Sequence, residues 1–174
     1  VLQRFKEQGV IEHLGVAGGP IDVEIQYVET GIFEVVISHN RYTLLNQAAA
    51  RLWDVADRRG VACVNAAPYG SGMLAKGPST YPRYAYQEAS GEMVDRARKL
   101  EAICLRRGIP LAAAALQFSM RDPRVVSTIV GMSRPERMRQ TLELVRMPLP
   151  DDLWPELASI PATTVDPEAE RFRR

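Results

Sequence analysis

Long hydrophobic runs are missing from this chain. No apolar stretch approaches the roughly 20 residues a helix needs to cross a bilayer, which argues against a membrane partner. An excess of one charge is missing as well. Lys and Arg number 22 against 21 Asp and Glu, for a net charge of +1, so no basic surplus argues for a nucleic-acid partner. Cysteine is scarce. Cys63 and Cys104 stand apart with no C-x-x-C spacing, which argues against a zinc site or a disulfide framework. Buried thiols in a reducing, cytoplasmic setting are the expectation. The opening residues, Val1 to Gly9, lack the apolar centre of a signal peptide. They also lack an initiator methionine, which points to a piece of a longer chain. What is present is 174 residues, 46% hydrophobic and 25% charged, enough for one globular domain with a real core.

Strand and helix signals alternate along the chain. Residues 1–8 read as the end of a helix stopped at Gly9. Val10 to Val16 read as a short strand carrying His13, a hydrogen-bonded structural histidine. Ile21 to Glu29 read as a helix halted by Gly31, and Phe33 to Ser38 as a second strand. Leu45, Ala48, Ala49, Leu52, Val55 and Ala56 recur at helical spacing up to Gly60. A third strand starts at Val61. A long loop runs from Pro68 to about Ser90, and its length suggests a function. Two helices follow, one with Met93, Ala97, Leu100 and Cys104 on a face and one from Pro110 to Met120. Val125 to Val130 is a fourth strand. Ser133-Arg-Pro-Glu136 reads as a capping box with proline in the first turn. Pro150 to Ile160 suggests a last helix, and Pro161 to Arg174 a loose, flexible tail. Repeated βα units imply a parallel sheet. About four strands are half of what closes a (β/α)₈ barrel. An open doubly wound sheet shares the pattern, but Val16-Ala-Gly-Gly-Pro20 lacks the G-x-G-x-x-G spacing of a dinucleotide fold.

The most telling segment is Val61 to Gly77, VACVNAAPYGSGMLAKG. An apolar strand runs into Pro68, Gly70, Gly72 and Gly77. Such a loop lets backbone approach a ligand, and its free N–H groups attract phosphate. An ordinary strand exit would look the same from spacing alone.

Four segments in order carry a resemblance: Gly9-Val-Ile-Glu-His-Leu-Gly-Val16, Asn40-Arg-Tyr-Thr-Leu-Leu-Asn-Gln47, Ala67-Pro-Tyr-Gly-Ser-Gly-Met-Leu74 and Ile129-Val-Gly-Met-Ser-Arg-Pro-Glu-Arg137. Together they resemble the aldo-keto reductase family, within it the branch of aldose (L-fucose or galactose) and pyridoxal dehydrogenases. The similarity covers about residues 1–160. It implies an α/β fold, the C-terminal half (about strands 5–8) of a TIM barrel, in one partial barrel domain. It also implies hydride transfer between a nicotinamide cofactor and a sugar, pyridoxal or aldehyde. Ala66, Ala67, Gly70, Ser71, Gly72 and Leu74 match the part of the family that covers the cofactor's nicotinamide and pyrophosphate. Gly131, Met132, Ser133, Arg137, Gln140 and Thr141 match the part that holds the adenosine end.

Several positions depart from the family pattern. Gly131 stands where NADP-preferring members often place lysine, so of NAD and NADP the former is favoured. Ala66 replaces the tyrosine that stacks on nicotinamide, and Ala17-Gly18 replaces the Ser-Asn pair at the carboxamide. The catalytic Asp, Tyr, Lys and His come from the family's first four strands, so no catalytic residue is assigned and this chain alone is expected to be inactive. The missing N-terminal half, or self-association of two half-barrels as a structural or binding module, is the implied protein partner. A phosphate-binding barrel of another family is a third reading. Among single residues, His39 and Asn40 end the second strand, where a barrel places its chemistry. Tyr42 and Trp53 read as core, Tyr69 as a loop anchor or pocket border, and Lys76 as a solvated loop lysine. Arg58-Arg59 and Arg106-Arg107 read as exposed dipole partners, and Asp151-Asp152 as caps.

Overall fold

The computed structural model describes residues 1–169. Its centre is a four-stranded, wholly parallel sheet in the order β1-β2-β3-β6. The strands are β1 (Gly15–Ala17), β2 (Val35–His39), β3 (Ala62–Ala66) and β6 (Val125–Ile129). The helices are α1 (Leu2–Glu7), α2 (Ile21–Glu29), α3 (Ala50–Arg58), α4 (Met73–Lys76), α5 (Gly91–Arg106), α6 (Leu111–Met120), α7 (Pro135–Arg146) and α8 (Leu153–Ala158). A separate antiparallel pair joins β4 (Arg83–Tyr84) to β5 (Gln87–Glu88).

Alternation across the strands decides which side is core. Val36 and Cys63 are paired in register and lie in one apolar cluster with Ile21 and Val28 of α2 and Leu52, Trp53 and Ala56 of α3. A second cluster joins Met73 and Leu74 to Ala97, Leu100 and Ile103 of α5, Ala114 and Ala115 of α6, and Leu153 and Leu157 of α8. Phe118 touches both clusters. Ile37 and Ala66 face away from these helices and are half-buried, and Ile129 on the same face is 46% exposed. β1 and β6 are the two outer strands of the sheet.

Several expected boundaries move. The first strand is only Gly15–Ala17, and His13 lies before it, exposed and 3.0 Å from Glu34 Oε2. Val10 is largely exposed, because Gly9 takes a positive φ and ends α1 with a turn rather than feeding a strand. The second strand is shifted to Val35–His39. Leu45, Ala48 and Ala49 are buried in the approach to α3, so their helical spacing reports burial and not helix. The long loop holds a 3₁₀ turn at Gly70–Gly72, α4 and the β4–β5 hairpin.

The chain after Pro161, expected to be loose, is tied down through residue 168. Thr163 bridges the segment before α3: Gln47 N donates to its carbonyl at 2.8 Å and its own N donates to Leu45 O at 2.9 Å. Asp166 accepts from Ile21 N at 2.7 Å, and so caps α2 from 145 positions away. The anchor is Arg41, wholly buried. Its Nε donates to Asp166 at 2.7 Å, and its Nη2 to Glu168 at 2.9 Å and to Gly19 O at 2.6 Å. Composition reads 161–168 as polar tail because ion pairs across the chain leave no local signal. The end of the expected tail, 170–174, lies outside the described residues.

Candidate functional site

The site begins where β3 stops. Ala67 N donates to Ile129 O at 3.1 Å, so β3 and β6 end side by side. The backbone then takes positive φ at Ala67, Gly70, Ser71 and Gly72. Gly70 has no substitute here. A Cβ on it would lie 2.4 Å from Cε2 of Tyr84, whose ring lies against the turn. Gly72, at φ +112°, lets α4 start immediately after the turn.

From the other side, β6 runs through Val130 to Ser133 into α7. The expected Ser133–Glu136 capping box does not form. Arg134 is the N-cap, in extended conformation, with Pro135 at the first helical position and no side chain capping the end. Proline needs no N–H partner there, which lets the helix start one residue later than the motif suggests. The uncapped positive end of a twelve-residue helix is suited to an anion.

These two segments meet on one cavity of about 660 Å³. Ala67, Ser71 and Gly72 line one side, and Gly131, Met132, Ser133, Arg137, Gln140 and Thr141 the other. Three expected residues do not line it. Ala66 ends β3 below the turn, Gly70 is covered by Tyr84, and Leu74 points into the α5–α6 core. Pro110 and Ala112 at the start of α6, and Glu143, Leu144 and Met147 at the far end of α7, add to the wall, and no local motif marks them. Tyr69 and Lys76 also line the cavity. Lys76, the last residue of α4, is exposed as expected of a solvated lysine, with its Nζ 4.0 Å from the centre of the Tyr81 ring. The Tyr69 hydroxyl is buried with no hydrogen-bond partner. Burial raises its pKa, and the charge of Arg137 works against that rise.

The remaining candidates divide cleanly. Tyr42 is core: it stacks on Phe118 at 5.2 Å and donates to Asp122, whose other partner is Arg124. Burial pushes up the pKa of Asp122, but the bonds from Arg124 and Tyr42 outweigh it and hold the carboxyl at about 2. Trp53 is fully buried. Arg106 and Arg107 pair with Glu156, and Arg107 also with Asp152, so Asp152 is an ion-pair partner rather than a side-chain cap. Burial pushes the Cys63 thiol up to about 12, as suits an inert core cysteine. His39 ends β2 with Nε2 3.3 Å from Glu168. Among the described residues no cluster of His, Cys, Asp and Glu could hold a metal ion. No helix among them is long and apolar enough to cross a membrane.

Comparison with known proteins gives the family and the fold. The Aldo/keto reductase family model matches residues 1–162. D-threo-aldose 1-dehydrogenase from Pseudomonas sp is 33% identical over 159 residues, covering 90% of this chain and 48% of that protein. Pyridoxal 4-dehydrogenase from Microbacterium luteolum is 30% identical, covering 91% and 46%. L-galactose dehydrogenase from Arabidopsis thaliana is 26% identical, covering 83% and 45%. The chain thus spans about half the length of these relatives. In fold, it matches the holo form of aldo-keto reductase AKR11C1 from Bacillus halodurans with a TM-score of 0.75 at 19% identity, over 97% of this chain and 56% of that one. The chain belongs to the aldo/keto reductase family.

Proposed function

We propose that this chain is the cofactor-binding C-terminal half, about strands 5–8, of a (β/α)₈ barrel oxidoreductase that uses NAD or NADP. Residues 1–160 form its partial barrel domain. One observation carries the reading: the Gly-rich turn after β3 and the arginine-bearing start of α7 open onto the same cavity. A single extended dinucleotide reaches both, and about 660 Å³ lies in the ordinary range for a cofactor pocket. The residues present fit the group. The N–H groups of the 70–72 turn are spent within the protein, on Ala67 O, Asn40 Oδ1 and Tyr69 O, so Ser71 and Gly72 shape the wall beside a diphosphate, while the uncapped end of α7 with Arg137 faces the adenosine phosphate or ribose. The unmatched Tyr69 hydroxyl is a further donor on the same wall.

When bound, the nicotinamide group supplies a hydride acceptor or donor. The chain's own residues bind and orient it. Its relatives' names point to a D-threo-aldose, L-galactose or pyridoxal as substrate of the whole enzyme, with aldehyde reduction as the reverse chemistry. NAD is favoured. Gly131 offers no side-chain charge, and Arg137 is the one arginine lining the cavity among the described residues. The proton-handling residues belong to the other half of the barrel, so this chain alone is inactive. Its outer strands β1 and β6 and the half-exposed sheet face then mark where that half docks.

The test is fluorescence titration of NADH against this chain, alone and fused behind the N-terminal half of the Pseudomonas D-threo-aldose 1-dehydrogenase. Binding by both and sugar-dependent NADH formation by the fusion are expected. Loss of both sinks the proposal. A second reading, two copies pairing into a closed assembly, has the same free edges in its favour, and light scattering showing a well-folded dimer would establish it.

A further inference from the structure

Asn40 sits one residue beyond β2, is 1% exposed, and adopts φ +59° without being glycine. An asparagine held there at some conformational cost needs a reason. Its side chain reaches across to the neighbouring strand's turn. Oδ1 accepts from Ser71 N at 2.9 Å and from Ser71 Oγ at 3.2 Å. The Ser71 N–H can only donate, so the amide's orientation is set by chemistry. The main chain of Asn40 serves the same unit. Its N donates to Ala66 O at 3.2 Å, and its carbonyl accepts from the Tyr84 hydroxyl at 2.6 Å. Tyr84 is the ring that covers Gly70, and Ser71 Oγ accepts from Tyr86 N at 3.2 Å. One residue therefore links β2, β3, the turn and the β4–β5 hairpin. The Nδ2 of Asn40 is buried and has no partner.

We propose that Asn40 is a positioning residue of the dinucleotide site, holding the Gly70–Gly72 turn in its ligand-binding form from the adjacent strand. This rests on the dinucleotide reading above. Ser71 and Gly72 of the turn line the diphosphate end of the cavity and α7 the adenosine end, so Asn40 affects ligands that span both and not those confined to α7.

The test uses the whole chain with three probes: NADH, ADP-ribose and AMP. Asn40→Gly removes the amide while relieving the positive φ, which protects the fold. It is expected to raise Kd for NADH and ADP-ribose about tenfold, as loss of two hydrogen bonds ordering the turn implies, and to leave AMP within about twofold. Hydrogen exchange at the Ser71 amide should quicken in Asn40→Gly. Asn40→Asp keeps the acceptor and should restore its protection. Unchanged Ser71 exchange in Asn40→Gly, or equal changes for all three probes, overturns the proposal. If the wild-type chain binds neither NADH nor ADP-ribose, the dinucleotide reading falls and this inference with it. If wild type binds and Asn40→Gly binds equally well, only the role of Asn40 falls.

Discussion

Arg41→Ala should be the most damaging single substitution in this half of the molecule. The guanidinium is wholly buried and bonds Asp166, Glu168, Gly19 O and, at 3.3 Å, Ser38 Oγ, with Glu24 3.8 Å away. Removing it takes the guanidinium from buried Asp166 and Glu24, while Glu168 keeps His39. Breaking a buried ion pair from one side costs about 3–5 kcal/mol, a large share of the ~5–15 kcal/mol that holds a domain together. Lysine restores the charge but cannot span partners on three sides, so Arg41→Lys should recover only part of the loss. Urea unfolding measures the difference. Proteinase K reports the local consequence, cutting within 161–168 of the variant well before wild type. The pH dependence has a definite sign. Burial pushes the Asp166 pKa up, but bonds from Ile21 N, Glu168 N and Arg41 outweigh it and hold the carboxyl below its ordinary 3.8. Its contribution is therefore present above pH 3.8 and is lost as pH falls through the depressed value. A loss under about 1 kcal/mol in Arg41→Ala, with no new cleavage, would refute the reasoning.

Glu24 behaves in the opposite sense. Desolvation raises it from 4.5 to about 7 despite nearby Arg41, so folding is disfavoured progressively as pH rises between those values. Glu24→Gln should flatten that decline, gaining on the order of 1–3 kcal/mol at pH 8, and urea melts at pH 5 and pH 8 will show whether it does. Gly72→Val forces a branched side chain to φ +112°, while the nearest Tyr81 atom, 3.5 Å away, leaves room for Cβ. Strain rather than collision should weaken NADH binding about tenfold, and an unchanged Kd would remove the turn from the site. Arg137→Ala should weaken NADPH about tenfold and NADH less. Equal losses would show that the guanidinium does not meet a 2′-phosphate.

Much of the candidate site was legible because its signals are local. Glycines at 70 and 72 permit positive φ and the proline at 135 fixes φ wherever they stand, so the turn could be read from residue types and the start of α7 to within one residue. Ser133 misled for a related reason. A capping box is a competition between adjacent frames, and Arg134-Pro135 won it through the geometry of proline. Leu45, Ala48 and Ala49 misled because a buried approach segment can imitate helical spacing.

The amino-acid order by itself determined the alternation of strands and helices and the glycine positions at which backbone could turn toward a ligand. These depend on neighbours a few residues away. Only the folded chain decided that residues 67–72 and 131–141 share a cavity, that Asn40 holds Ser71, and that Arg41 pins Asp166 and Glu168 more than 120 positions later. Hydrogen bonds and ion pairs between distant residues require only that two side chains arrive at the same place, and no local pattern records where a parallel sheet will bring them.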